Sequence, residues 1–104
     1  LGPGSTAYLD RAIGNFCVNS VVLVEQVREA VQAADSQTVR QLSHRLAGGA
    51  LNLGAHQAGE AARAVEALAD TGSLEGVETL LEPLVAHLAR AREALEAYRT
   101  TYES

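Results

Sequence analysis

At 104 residues with a single cysteine, the chain has room for one domain with one core, and none for a separate catalytic lobe or an internal disulfide. Its net charge is −5, and its eight basic residues are all arginines, scattered at 11, 28, 40, 45, 63, 90, 92 and 99, which excludes the clustered positive face that nucleic acid selects. No apolar run approaches the roughly 20 residues that span a bilayer and nothing resembles a signal peptide, so a cytoplasmic protein without membrane contact is expected.

The leading Leu1-Gly2-Pro3-Gly4-Ser5 reads as a protease-site remnant plus a cloning scar, which leaves residues 6–104 as the domain. Arginine without lysine, together with abundant alanine, is the composition of a GC-rich bacterial genome. Only two prolines interrupt long Ala/Leu/Glu/Arg stretches, side chains that lose little rotamer freedom in a helix, so the chain is all-α.

Thr6 to Phe16 predicts a short first helix, weakened at its end by Gly14 and Asn15. Asn19 or Ser20 then caps a second helix running to about Ala34, with Val24, Val27, Val31 and Ala34 on its apolar stripe. Cys17, between the two in an apolar stretch, reads as a buried, unreactive thiol. Asp35 or Ser36 caps the next helix, where Val39, Leu42, Leu46 and Leu53 share a face and Gly54 supplies the stop. Ala55 to Asp70 follows, with Ala58, Ala62, Val65 and Leu68 or Ala69 buried. After the turn Thr71-Gly72-Ser73, Ser73 caps a last helix with the stripe Val77, Leu81, Leu84, Leu88, Ala91, Leu95, Tyr98 and Tyr102. Pro83 should kink or restart that helix, because it removes a hydrogen bond and crowds the carbonyl of Thr79. Short turns make consecutive helices antiparallel neighbours, so the expected fold is an antiparallel up-down four-helix bundle with an additional short N-terminal helix.

The residues with chemical potential lie in Leu42-Ser43-His44-Arg45-Leu46-Ala47-Gly48-Gly49. At about 100° per residue, His44 stands roughly 200° from both Leu42 and Leu46 and faces solvent. Gly48 lies one turn further along the same exposed face, although a mid-helix glycine costs roughly 0.5 to 1 kcal/mol relative to alanine. A shallow dish beside the imidazole, open to another protein, accounts for that cost. Gly49 lies nearer the buried stripe and suits helix packing. Ser43 diverges from His44 by about 100°, so the two form no nucleophile-base pair. His56 and His87 lack a second ligand at helical spacing, which predicts no metal site, and no Gly-rich phosphate loop follows a strand.

This segment resembles histidine phosphotransfer domains, whose histidine helix carries His-x-Leu-Lys-Gly-Ser/Gly followed by small residues and a glycine near its end. The matching residues are His44-Arg45-Leu46-Ala47-Gly48-Gly49 and Asn52-Leu53-Gly54-Ala55. Phe16 before a loop, the helix with Val27 to Val31, Asp35 before the histidine helix and the Leu68 to Gly72 ending extend the resemblance over nearly the whole chain. It implies a phosphocarrier that accepts and passes a phosphoryl group on His44, through Nε2, between a sensor histidine kinase and response-regulator receiver domains. An imidazole with the ordinary pKa of about 6.5 is largely neutral and nucleophilic near pH 7. The domain would have no ATP site and no cofactor of its own, Mg²⁺ being the receiver's, and the same bundle is expected whether it stands free or belongs to a hybrid kinase. The family's lysine three residues after the histidine is Ala47 here, which removes a cation beside the phosphate. Arg45 or Arg40 is expected to substitute in part, with Arg63 a weaker candidate, and Gly48, Ala47 and Gln41 complete the docking and phosphate-support set. The loss at Ala47 keeps open a second reading, an adaptor that docks receivers without being phosphorylated, and a plain structural bundle is the third. Because each helix has one strongly apolar face, a monomer is expected.

Overall fold

The computed structural model describes residues 3–103, with side chains described from Ala7 to Arg99. Four helices follow one another: α1 (Pro3–Gln32), α2 (Ser36–Asn52), α3 (His56–Asp70) and α4 (Val77–Glu103). Each packs against the next and α1 closes on α4, giving an up-down four-helix bundle of 47 × 20 × 19 Å. At 30 and 27 residues, α1 and α4 outrun the 17- and 15-residue α2 and α3. Their far ends pair with each other, where Arg99 donates to Asp10 and Glu96.

The additional N-terminal helix is not a separate element. The expected helices either side of Phe16 are one continuous α1, which runs through Gly14 and Asn15 and takes in Pro3, Gly4 and Ser5 of the leading pentapeptide. Leu1 and Gly2 lie outside the described residues. Tertiary packing overrides the helix-breaking tendency of the Gly14-Asn15 pair. Ile13 and Phe16 are buried on either side of it, and the position of a Gly14 Cβ would lie 3.5 Å from the Arg99 guanidinium. Ser20, expected as a cap, is instead a buried mid-helix residue, accepting from Arg92 Nη1 at 3.2 Å and donating to the Cys17 carbonyl. The buried stripe of α1 is Ile13, Phe16, Ser20, Leu23, Val27 and Ala30, so Leu23 and Ala30 take the places expected of Val24 and Ala34.

The expected helix ends hold better around α2. Asp35 is its N-cap and accepts from the Thr38 backbone N–H at 3.1 Å and from the Thr38 hydroxyl. At the other end Gly54 has φ +79°, and the N–H groups of Gly54 and Ala55 return to the carbonyls of Leu51 and Ala50. Those two bonds satisfy orphan carbonyls of the last turn and reverse the chain into α3. Small residues let α2 and α3 pack closely: Ala47 and Ala50 on α2 and Ala58, Gly59 and Ala62 on α3 are all buried. A Cβ at Gly59 would lie 2.6 Å from Leu51 Cγ, so the seam has no room for one unless Leu51 moves.

In α4, Val77, Leu81, Leu84 and Leu88 are buried as expected, Ala91 and Leu95 are half-buried, and Tyr98 is exposed. The side chain of Tyr102 lies outside those described. The helix continues through Pro83, which occupies an exposed position. Ser73 does not cap it: its Oγ accepts from the Glu75 N–H and closes a local turn, and the helix begins four residues later at Val77.

Candidate functional site

His44 sits midway along α2, opposite Leu42 and Leu46, and its side chain is 73% exposed. Its Nδ1 lies 2.9 Å from Glu66 Oε2 on α3. A carboxylate can only accept, so Nδ1 carries the hydrogen and donates it. Nε2 is then the ring nitrogen with the free lone pair, and it is on the side away from Glu66. The anchor is itself well placed, because Glu66 is only 25% exposed. One contact therefore fixes both the tautomer and the orientation of a solvent-facing imidazole.

The ring stands over a shallow groove between α2 and α3, of about 500 Å³, lined by Arg40, His44, Ala47, Gly48, Arg63, Glu66, Ala67 and Asp70. Its floor is low because Ala47 is 3% exposed and Gly48 bears no side chain. A Cβ at Gly48 would meet nothing within 4 Å, so packing inside the domain does not demand glycine there. Gly49 differs: the position of its Cβ lies 3.7 Å from Phe16, an ordinary contact on the α1 side. Arg40 reaches toward Asp70, with Nε 4.0 Å from Oδ1.

Of the residues expected from sequence, the groove brings together His44, Ala47, Gly48, Arg40 and Arg63. Arg45 is elsewhere, exposed beside the α1–α2 groove that also holds Asn15, Asn19 and Asn52. Gln41 is exposed on α2, three residues before His44. Glu66 and Asp70 are the residues that sequence reasoning missed. A signal for them existed in the hairpin. With the α2–α3 turn at Gly54-Ala55, His44 and Glu66 are each eleven residues from Ala55, and Arg40 and Asp70 each fifteen. Ser43 is fully buried and its hydroxyl finds no hydrogen-bond partner among the described residues.

Elsewhere the described residues hold no group of three or more His, Cys, Asp or Glu able to bind a metal. His56 and His87 border one groove between α3 and α4, where Arg90 donates to His87 Nδ1 at 2.8 Å. Cys17 is half-buried, and burial first, then Glu96, pushes its thiol up to about 11, which suppresses the reactive thiolate at neutral pH. No helix among the described residues is long and apolar enough to cross a membrane.

A sequence match to the Hpt domain spans residues 11–100, nearly the whole chain. The chain belongs to the Hpt domain family. Hpt domains are histidine phosphotransfer modules of two-component signalling and carry phosphoryl groups rather than acting as kinases. Among solved structures, histidine-containing phosphotransfer protein B (HptB) from Pseudomonas aeruginosa PAO1 is similar, with a TM-score of 0.85 and 24% identity, over 98% of this chain and 96% of that one. That likeness shows the shared four-helix Hpt fold. No curated protein matches the sequence.

Proposed function

We propose that this Hpt domain carries its phosphoryl group on Nε2 of His44, accepting it from a sensor histidine kinase or a receiver aspartate and passing it on. The observation that carries the reading is the 2.9 Å contact from His44 Nδ1 to Glu66, which leaves Nε2 as the exposed nucleophile. In transfer from a receiver, the Nε2 lone pair attacks the phosphorus of the phosphoaspartate. The bond from phosphorus to the aspartyl oxygen breaks and the carboxylate leaves with its electron pair. The ring keeps the Nδ1 hydrogen and becomes positively charged, and the Glu66 carboxylate beside that hydrogen stabilises the charge as it develops. The reverse step returns the group to an aspartate. Mg²⁺ and the acidic pocket that holds it belong to the receiver, and the domain supplies no cofactor.

Docking uses the open floor beside the ring. Gly48 leaves space within 4 Å of its missing Cβ, room that a partner's active-site loops can enter. An adaptor that is never phosphorylated has no use for an imidazole held in one tautomer, so the Glu66 contact favours the phosphocarrier over that alternative. The test is to incubate the domain with a phosphorylated receiver, or with an active sensor kinase and ATP, in the presence of Mg²⁺. Wild type should acquire acid-labile, alkali-stable phosphate and His44→Gln should acquire none. Receiver binding without label would instead support the adaptor.

A further inference from the structure

Phosphorylating His44 brings about −1.5 to −2 charges to a groove that already holds two carboxylates, Glu66 and Asp70. Two guanidiniums border the same groove, so its side chains balance only before the phosphoryl group arrives. The two arginines are not equivalent. Arg40 is directed toward Asp70, whereas Arg63 is exposed and has no ion pair or hydrogen-bonded side-chain partner among the described residues. Arg63 is also the better placed across the hairpin. It stands eight residues after Ala55, and Ala47 stands eight before, so Arg63 on α3 faces Ala47 in the register that pairs His44 with Glu66. Ala47 is nearly buried and Gly48 has no side chain, so nothing on α2 stands between Arg63 and the space beside the ring.

We propose that Arg63 is the phosphoryl-binding residue of this domain, reaching from α3 over Ala47 and Gly48 to the oxygens of the group on His44. The proposal rests on His44 being the phosphoacceptor. A planar guanidinium suits it, because its paired N–H donors match two phosphoryl oxygens at once. An arginine on the neighbouring helix thus replaces a cation that the histidine helix lacks at Ala47.

A small phosphodonor tests this without any partner. With potassium phosphoramidate, Nε2 attacks phosphorus, the P–N bond breaks and ammonia leaves, and ³¹P NMR follows loading. Arg63→Ala is expected to slow loading at least about fivefold at low salt, the size of one charge-assisted contact. Arg63→Lys should recover part of the rate, since it restores the charge without the paired donors. Arg28→Ala, which removes the same charge from the outer face of α1 where Arg28 neighbours Glu25, should load like wild type. The gap between wild type and Arg63→Ala should narrow as added salt screens the contact. Equal rates for wild type and Arg63→Ala would overturn the proposal, as would a Lys variant as slow as the Ala variant. The underlying phosphoacceptor reading fails separately, if His44→Gln loads as fast as wild type.

Discussion

His44 and Glu66 meet across the α2–α3 hairpin at 2.9 Å, and they are equally far in sequence from the turn that joins their helices. The geometry of that turn therefore controls which nitrogen of the histidine is turned away from Glu66. Glu66→Ala frees the ring, and phosphorylation is expected to slow about three- to tenfold, the worth of one orienting hydrogen bond. Glu66→Gln should lose less, because its amide oxygen still accepts from Nδ1–H. Loading rates from phosphoramidate for the two variants check this, with melting curves to show that the fold is intact.

Under the proposed function, Gly48 separates docking from chemistry. Its open surroundings predict that Gly48→Ala raises stability by about 0.5 to 1 kcal/mol through helix propensity alone, read by urea denaturation. Gly48→Trp should fold and still load from phosphoramidate, yet accept phosphate from a protein partner at least about tenfold more slowly. Equal losses with both donors would assign Gly48 to the chemistry instead.

Much of the fold was legible in the sequence where local signals agreed. The Asp35 cap and the Gly54 stop bounded α2, and the spacing of Leu42 and Leu46 put His44 on the exposed face. The Gly14-Asn15 pair misled, because its local preference says nothing of Ile13 and Phe16 being buried by helices distant in sequence. Ser20 misled for the same reason: its partner Arg92 is 72 residues away. Glu66 was invisible to periodicity, since a partner on another helix emerges only when the hairpin register is known.

Ala34 sits at φ +56°, a left-handed backbone that costs a side-chain-bearing residue roughly 1–2 kcal/mol. Ala34→Gly removes that strain but loosens the unfolded chain, so a net gain of about 0.5 to 1 kcal/mol is expected in denaturant titration. Ala34→Val, β-branched in the same backbone, should lower stability.

Asp35 gives a pH signature. Its hydrogen bonds to the Thr38 hydroxyl and backbone N–H hold its carboxyl below the ordinary value of 3.8. A folded pKa lower than the unfolded one adds stability above the unfolded pKa, and that stability is lost as pH falls through the depressed value. Asp35→Ala should therefore melt below wild type by a constant margin from pH 8 to 5, and the margin should close below about pH 4.

The most direct measurement is a long-range ¹H–¹⁵N NMR spectrum of the ¹⁵N-labelled domain before and after loading with phosphoramidate. Before loading, Nδ1 of His44 should carry the hydrogen. After it, the phosphoryl group should be on Nε2 of His44, with His56 and His87 unmodified. Phosphate on Nδ1 of His44, or on another histidine, would contradict the account.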